Sequence, residues 1–135
     1  MSDPDPQGGP QTHPESIELA VLAARVADEK QAHDIVVLDV GPVVSITGCF
    51  VVVSASNVRL VNLVSEEIEA VVKERLERAP ARVEGMREKQ WVLLDYGDVV
   101  VHVFLDEVRE FYDIERLYRD VTRIAWQDIA PAAEA

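Results

Sequence analysis

The chain has 135 residues, 48% of them hydrophobic, and a formal net charge of −12 because 25 acidic side chains face 13 basic ones. This length fits one domain, and the apolar content suffices for a core, which excludes a wholly disordered chain. No apolar run approaches the roughly 20 residues that a membrane-spanning helix needs. A chain this acidic predicts no dominant direct contact with nucleic acid and favours a basic protein as partner, although solubility alone would explain the charge equally well.

The two ends of the chain differ in composition from the middle. Residues 1–13 are rich in Pro, Gly, Gln and Asp and predict a disordered tail, and residues 128–135 predict a second loose end. A single domain then spans residues 14–127. The first residues lack the positive start and apolar centre of a secretory signal, so we expect a cytoplasmic protein. The single cysteine, Cys49, has no second thiol to pair with, and we expect it to be buried and inert.

Helical and extended patterns alternate along the middle of the chain. Pro14 suits the first turn of a helix, and the first long helix is followed by short β-branched runs that are typical of buried strands. Asn57 or Ser56 can cap a second long helix, which Pro80 ends. The predicted elements are a helix over 14–33, strands over 34–40 and 49–54, a helix over 58–79, a short edge strand over 81–85, strands over 91–96 and 99–105, and a final helix capped by Asp106 with Ile114, Leu117, Tyr118 and Val121 facing inward.

This order, α-β-β-α-β-β-β-α, predicts an α/β fold with one mixed β-sheet and helices packed on it. The last two strands form a hairpin, and a two-residue loop at either Tyr96-Gly97 or Gly97-Asp98 divides its side chains into two faces. One face is aliphatic and belongs against a helix: Val92, Leu94, Tyr96, Val99, Val101 and Val103. The other, here called the mixed face, combines aromatic residues with an acid and a histidine: Trp91, Leu93, Asp95, Val100, His102 and Phe104.

The mixed face admits two interpretations. It suits a protein interface, in which Trp supplies binding energy and polar groups fix the register. It suits equally a two-sided core in which Asp95 and His102 satisfy each other. A three-residue loop would change the assignment of the faces.

Motifs for chemistry are missing from the sequence. None of the common phosphate-binding, zinc-protease, serine-hydrolase or paired-cysteine patterns occurs, and the three histidines are scattered. Asp39 and Asp95 each lie near a strand end and could bind a metal, as in a metal-dependent nucleotidyltransferase-like enzyme. Such sites need a Gly-Ser turn beside a closely spaced Asp pair, which the sequence SASNV does not supply. We therefore predict no catalytic, cofactor-binding or metal-binding residues, and keep that enzyme as the alternative.

Three stretches of the chain resemble the Iojap family, the ribosomal silencing factors called RsfS. They are DIVVLDV at 34–40, SITGCFVVVSASNVR at 45–59 and VEGMREKQWVLLDYGDVVVHVFLDEVREFYDIERLY at 83–118. The resemblance covers about residues 16–120. Its most specific part is a spaced set: Trp91, Leu94, Asp95, Gly97, Asp98, Val101, His102, Arg109, Tyr112, Glu115 and Leu117.

The resemblance implies a mixed-sheet fold related to nucleotidyltransferases but lacking their catalytic residues. It implies binding to the large ribosomal subunit through ribosomal protein L14, which would keep the small subunit from joining and lower translation when nutrients are scarce. It also implies a homodimer in isolation. Ribosomal proteins are typically basic, which would give the acidic charge a reason.

Joined to the face geometry, this role makes the mixed face the expected partner-binding surface. Trp91 and Leu93 would be apolar anchors, and Phe104 would widen the patch. Asp95 would meet a Lys or Arg of the partner, with His102 holding that carboxylate by a hydrogen bond. The chain departs from the family in two places: Gly48 replaces a usual Asp and leaves a flexible residue before the second strand, and Tyr118 replaces a usual Trp, which is a milder change.

Overall fold

The computed structural model describes residues 12–44 and 46–130. They form the predicted α/β fold, and the first eight elements follow the predicted order. No helix in this part of the chain is long and apolar enough to cross a membrane. The elements are α1 (Pro14–Glu29), β1 (His33–Asp39), β2 (Cys49–Ala55), α2 (Val58–Leu76), β3 (Arg82–Glu84), β4 (Trp91–Asp95), β5 (Val99–Leu105), α3 (Asp106–Tyr112), α4 (Ile114–Leu117) and β6 (Thr122–Ile124), followed by a 3-10 turn at Trp126–Asp128.

The two long helices begin where the sequence indicates. Pro14 is the first residue of α1, where its missing N–H costs no hydrogen bond. Asn57 caps α2 by accepting a hydrogen bond from the backbone N–H of Leu60 at 2.8 Å. The helix ends with Glu77 in a left-handed conformation, before Pro80 is reached. Local signals therefore fix the ends of α2.

The six strands form one mixed sheet in the order β3-β4-β5-β2-β1-β6. Strands β2 and β5 run parallel at its centre, and the remaining neighbours are antiparallel. The connection from β2 to β5 passes through α2 and the β3–β4 hairpin, which a parallel pair requires. β3 lies at the edge of the sheet, as its short pattern predicts.

Each face of the sheet has its own core. The larger core lies under α1 and α2, and includes the whole aliphatic set of the β4–β5 hairpin. Cys49 belongs to this core, and burial together with the nearby Asp39 and Asp98 raises the pKa of its thiol to about 12. The thiol is therefore protonated at neutral pH, as expected of an inert residue. The smaller core, on the opposite face, is built from Leu38, Val40, Val52 and Phe104.

The register of the β4–β5 hairpin agrees with the predicted faces. Trp91 pairs with Phe104 and Asp95 with Val100, and the Tyr96 N–H donates to the Val99 carbonyl at 2.8 Å. The loop is therefore the two-residue Gly97-Asp98 alternative, with Gly97 at a φ of +93°. A loop of this length keeps the aliphatic and mixed sets on opposite sides.

The segment after β5 differs from the prediction of one final helix. Asp113 takes a left-handed conformation and separates α3 from the single turn of α4. Asp106 is the first residue of α3 and its side chain does not cap the helix. Leu117, expected to face inward, is 76% exposed. The chain then adds the three-residue strand β6 beside β1, which the sequence analysis did not predict.

Only residues 12–13 and 128–130 of the two predicted tails are among the described residues. Residues 1–11 and 131–135, which belong to the two predicted tails, lie outside them. Thr12 donates a hydrogen bond from its hydroxyl to Asp39. Ile129 packs against the larger core, and its carbonyl accepts a hydrogen bond from Arg25. The extents of the tails stay predictions.

Candidate protein-binding surface

Trp91 is the centre of the mixed face. It is the first residue of β4 and half-buried. Its ring stacks on Phe104 of β5, with ring centroids 4.7 Å apart and planes 28° from parallel. Tyr112, at the end of α3, lies against it with a centroid distance of 4.9 Å. These contacts hold the indole on the sheet while part of it stays open to solvent.

His102 is the polar neighbour of Trp91. The indole N–H donates to His102 Nδ1 at 3.1 Å. The imidazole is 5% exposed, and burial lowers its pKa to about 4, so the ring is neutral at neutral pH. Its other nitrogen, Nε2, has no hydrogen-bond partner among the described residues. The ring is thus a fixed acceptor for Trp91.

Asp95 has different partners from those expected. Its carboxylate accepts a hydrogen bond from the Gly97 backbone N–H at 2.8 Å. Arg82 of the edge strand approaches the same carboxylate at 3.6 Å. Asp95 and His102 therefore do not form a hydrogen bond with each other. This corrects both expectations, that of a buried Asp95–His102 pair and that of His102 holding the carboxylate at an interface. The Asp95 side chain keeps 24% of its surface exposed.

The five residues predicted to bind a partner do not have equal access to one. Trp91, Leu93 and Asp95 alternate along β4 on the same side and are all half-exposed. Phe104 is 0% exposed and His102 nearly so, because α3 and α4 turn back over this part of the sheet. In this conformation neither buried ring can touch another protein, and both instead support Trp91 from below.

The prediction from sequence missed the apolar surface on α3. Phe111 is 79% exposed and Tyr112 is also open to solvent, beside Trp91. The sequence carried a signal for this surface, the spacing of Val108 and Tyr112 by one helical turn, which places both on one side of the helix. In the structure Val108 packs on the smaller core. Starting the helix at Asp106 and following this spacing places Tyr112 next to the mixed face.

The two acids of the enzyme alternative lie apart. Asp39 is on β1 and Asp95 on β4, with β2 and β5 between them. Three strand spacings separate them by about 14 Å, far beyond what one metal ion bridges. Within residues 12–44 and 46–130, no group of three or more His, Cys, Asp or Glu side chains is arranged to hold a metal.

Asp98, at the turn of the hairpin, is held by a structural network. Ser16 donates to it at 2.6 Å, and Arg78 donates to both of its oxygens at 2.6 and 3.2 Å. Burial raises the pKa of this carboxyl, but the hydrogen bonds and the charge of Arg78 outweigh burial and leave the pKa below its usual value. The network ties the turn to α1 and to the chain after α2.

The described residues thus define a mixed α/β domain with an aromatic surface around Trp91. The family described as "Ribosomal silencing factor during starvation" matches residues 13–135. The chain belongs to this ribosomal silencing factor family, RsfS, which confirms the resemblance.

Proteins similar to this chain come from bacteria, plants and animals. The chain is 31% identical over 112 residues to the ribosomal silencing factor RsfS of Halalkalibacterium halodurans, a match that covers 83% of this chain and 95% of that protein. It is 29% identical over 115 residues to "Mitochondrial assembly of ribosomal large subunit protein 1" of the mouse, covering 83% of this chain and 50% of that protein. A crystal structure from Chromobacterium violaceum is similar with a TM-score of 0.73 and 30% identity, covering 85% of this chain and 93% of that one.

Proposed function

We propose that this protein binds the large ribosomal subunit through ribosomal protein L14 and sterically blocks the small subunit from joining, which represses translation under nutrient limitation. Membership of the silencing-factor family over residues 13–135 is the observation that carries the proposal. The name of the mouse relative supports the large subunit as the one involved.

The proposed contact surface is the exposed part of the mixed face. Trp91 and Leu93 are its apolar anchors, and Asp95 pairs with a Lys or Arg of the partner, exchanging its long contact with Arg82 for a closer one. Tyr112 and Phe111 extend the apolar area on the side of α3. His102 and Phe104 contribute through Trp91. Aromatic residues surrounded by polar groups are typical of the centre of a protein interface.

Charge supports a basic protein as the partner. The chain carries 25 acidic side chains against 13 basic ones. An acidic protein approaches a basic one faster because their potentials are complementary, whereas RNA phosphates repel it. We therefore assign no dominant direct contact with ribosomal RNA. We also propose that the protein is cytoplasmic. When it is free of the ribosome, we propose that it forms a homodimer.

A metal-dependent nucleotidyltransferase remains the alternative, and we do not favour it because Asp39 and Asp95 lie on strands separated by two others. We infer a regulatory binding protein without catalytic or cofactor-binding residues. If the chain consumed a nucleotide in the presence of Mg²⁺, and Asp39→Ala abolished this turnover, the binding role would be replaced by the enzymatic one.

Gradient sedimentation of purified subunits tests the proposal. Adding the protein should leave large and small subunits in separate peaks, with the protein in the large-subunit peak. Leu63→Ala is a matched control because Leu63 is exposed on α2, on the other side of the sheet, and it should act as the wild type does. Normal joining of subunits at saturating protein would overturn the proposal.

A further inference from the structure

The hydrogen-bonding capacity of Trp91 is already used inside the protein. An indole has one polar hydrogen and no acceptor. In this structure the hydrogen is directed at His102 Nδ1, 3.1 Å away. Because Nδ1 accepts, a neutral imidazole must carry its own proton on Nε2. The pair therefore has one defined protonation arrangement.

The acceptor is held in place by aromatic neighbours. Phe50 of β2 lies edge to face against the imidazole, with ring centroids 4.8 Å apart and an angle of 68°. Tyr118 packs on Phe50 in the same manner at 5.2 Å. Since His102 is also buried, its ring has little freedom to rotate away from the indole. The position of Nδ1 is fixed before any partner arrives.

The part of Trp91 that remains open is hydrocarbon. One face of the indole is covered by Phe104, Tyr112 lies against it, and its N–H points at His102. A partner that reaches this residue meets carbon atoms only. A hydrogen-bond acceptor placed against them would lose its water and gain nothing in return.

Resting on the proposed function, we propose that His102 is a positioning residue for subunit binding. It holds the indole N–H of Trp91, so that the residue presents an apolar surface and selects an aliphatic or aromatic side chain on the partner protein. His102 never touches the partner.

Three substitutions in the full-length chain test this role. His102→Leu removes the acceptor but keeps a buried apolar side chain of moderate size. His102→Asn restores an acceptor, because the Asn carbonyl oxygen can occupy the position of Nδ1. Trp91→Phe keeps an aromatic anchor but has no N–H to satisfy. The affinity of each variant for purified large subunits is measured well below its melting temperature.

We expect His102→Leu to weaken binding about tenfold or more, since the indole N–H then turns to water in the free protein and loses that hydrogen bond when the partner covers the ring. His102→Asn should recover most of this loss. In a Trp91→Phe background, adding His102→Leu should change affinity by less than about twofold, the usual scatter of additive mutations. Trp91→Phe alone should bind far better than Trp91→Ala, because the partner makes no use of the N–H.

A readout in the free protein accompanies the binding measurements. The indole N–H resonance of Trp91 should move and exchange faster with solvent in His102→Leu, while that of Trp126, which donates to the Ile35 carbonyl, stays unchanged. An equal loss of affinity from His102→Leu in the Trp91 and Phe backgrounds would overturn the positioning role and leave the binding surface intact. Normal binding by Trp91→Ala would instead overturn the proposed surface itself, and the positioning role with it.

Discussion

Arg109 and Glu115 form two parallel hydrogen bonds across the break between α3 and α4, at 2.9 and 3.0 Å. The same guanidinium donates to the Ser54 hydroxyl at 2.8 Å and to the Asp34 carbonyl. One nearly buried side chain therefore joins α3 and α4 to β2 and to the start of β1. Only the planar guanidinium of an arginine can donate hydrogen bonds to all of these acceptors at once.

Arg109→Lys should therefore destabilise the domain although it conserves the charge. A lysine cannot bridge both carboxylate oxygens and the two other acceptors, and we expect a loss of roughly 1–3 kcal/mol in the free energy of unfolding. Urea unfolding followed by circular dichroism measures it. Arg116→Lys is the control, since Arg116 is exposed on α4 and its replacement should change stability by less than about 0.5 kcal/mol. Equal midpoints for both variants would contradict the role given to Arg109.

Trp91 and Leu94 provide a contrast between binding and folding. Trp91→Ala should weaken binding to large subunits by roughly 30-fold or more, because an anchoring Trp carries about 2 kcal/mol. Leu94→Ala should lower the melting temperature more, because Leu94 is fully buried in the larger core and its truncation costs about 2–5 kcal/mol. Thermal melts and affinities are measured on both proteins in one buffer. Earlier melting of Trp91→Ala, with normal affinity in its folded form, would mean that the binding surface lies elsewhere.

The buried imidazole of His102 makes stability depend on pH. Its pKa is about 4 in the folded protein, below the ordinary 6.5, so the folded state binds fewer protons than the unfolded state between these values. The neutral imidazole therefore contributes its full share to the free energy of unfolding above pH 6.5, and this share is lost as the pH falls toward 4. Over this range the loss amounts to about 3 kcal/mol.

Urea unfolding of the wild type and of His102→Asn at several pH values checks this dependence. The variant keeps every carboxylate, including Asp98, whose low pKa acts in the same direction at lower pH. Subtracting its stability curve from that of the wild type isolates the histidine. If the two stability curves ran parallel between pH 7 and about pH 4, the imidazole would bind protons equally in the folded and unfolded states. That result would contradict the expected linkage.

The sequence predicted the hairpin faces because their cause is local. Gly97 permits a two-residue loop, and strand periodicity then assigns every side chain of β4 and β5 to one face. The same register could have predicted the Trp91–His102 hydrogen bond. Trp91 pairs with Phe104, and His102 lies two residues before Phe104 on β5, which makes it a diagonal neighbour of Trp91. The expected partner of His102 was instead Asp95, which is also a diagonal neighbour, since Asp95 pairs with Val100 and His102 with Leu93.

The end of the domain could not be predicted in the same way. The break at Asp113 and the return of the chain to β1 depend on contacts between distant residues, above all those of Arg109 with Asp34 and Ser54. The burial of Phe104 follows from that return, because the smaller core closes only when α4 and Tyr118 pack over the sheet. Periodicity reports which face a residue takes, but it does not report what later covers that face.

Gly85 and Gly97 offer the sharpest test of how β4 is placed. Both have a positive φ, +88° and +93°. A Cβ at Gly97 would meet nothing within 4 Å, whereas one at Gly85 would collide with the carbonyl group of Trp91, its carbon lying at 2.9 Å. Gly97→Ala should therefore cost only the conformational penalty, about 1–2 kcal/mol. Gly85→Ala should cost roughly 3 kcal/mol or more, because backbone must also move.

The two glycine variants should differ in binding as well as in stability. Relief of the collision at Gly85 shifts the first residue of β4, and with it the indole that rests on Phe104. Gly85→Ala should thus weaken large-subunit binding in its folded form, while Gly97→Ala binds normally. Unfolding free energies and affinities are compared at a temperature where both proteins are folded. If Gly85→Ala were no less stable than Gly97→Ala, the close approach of the loop to Trp91 would be absent in solution.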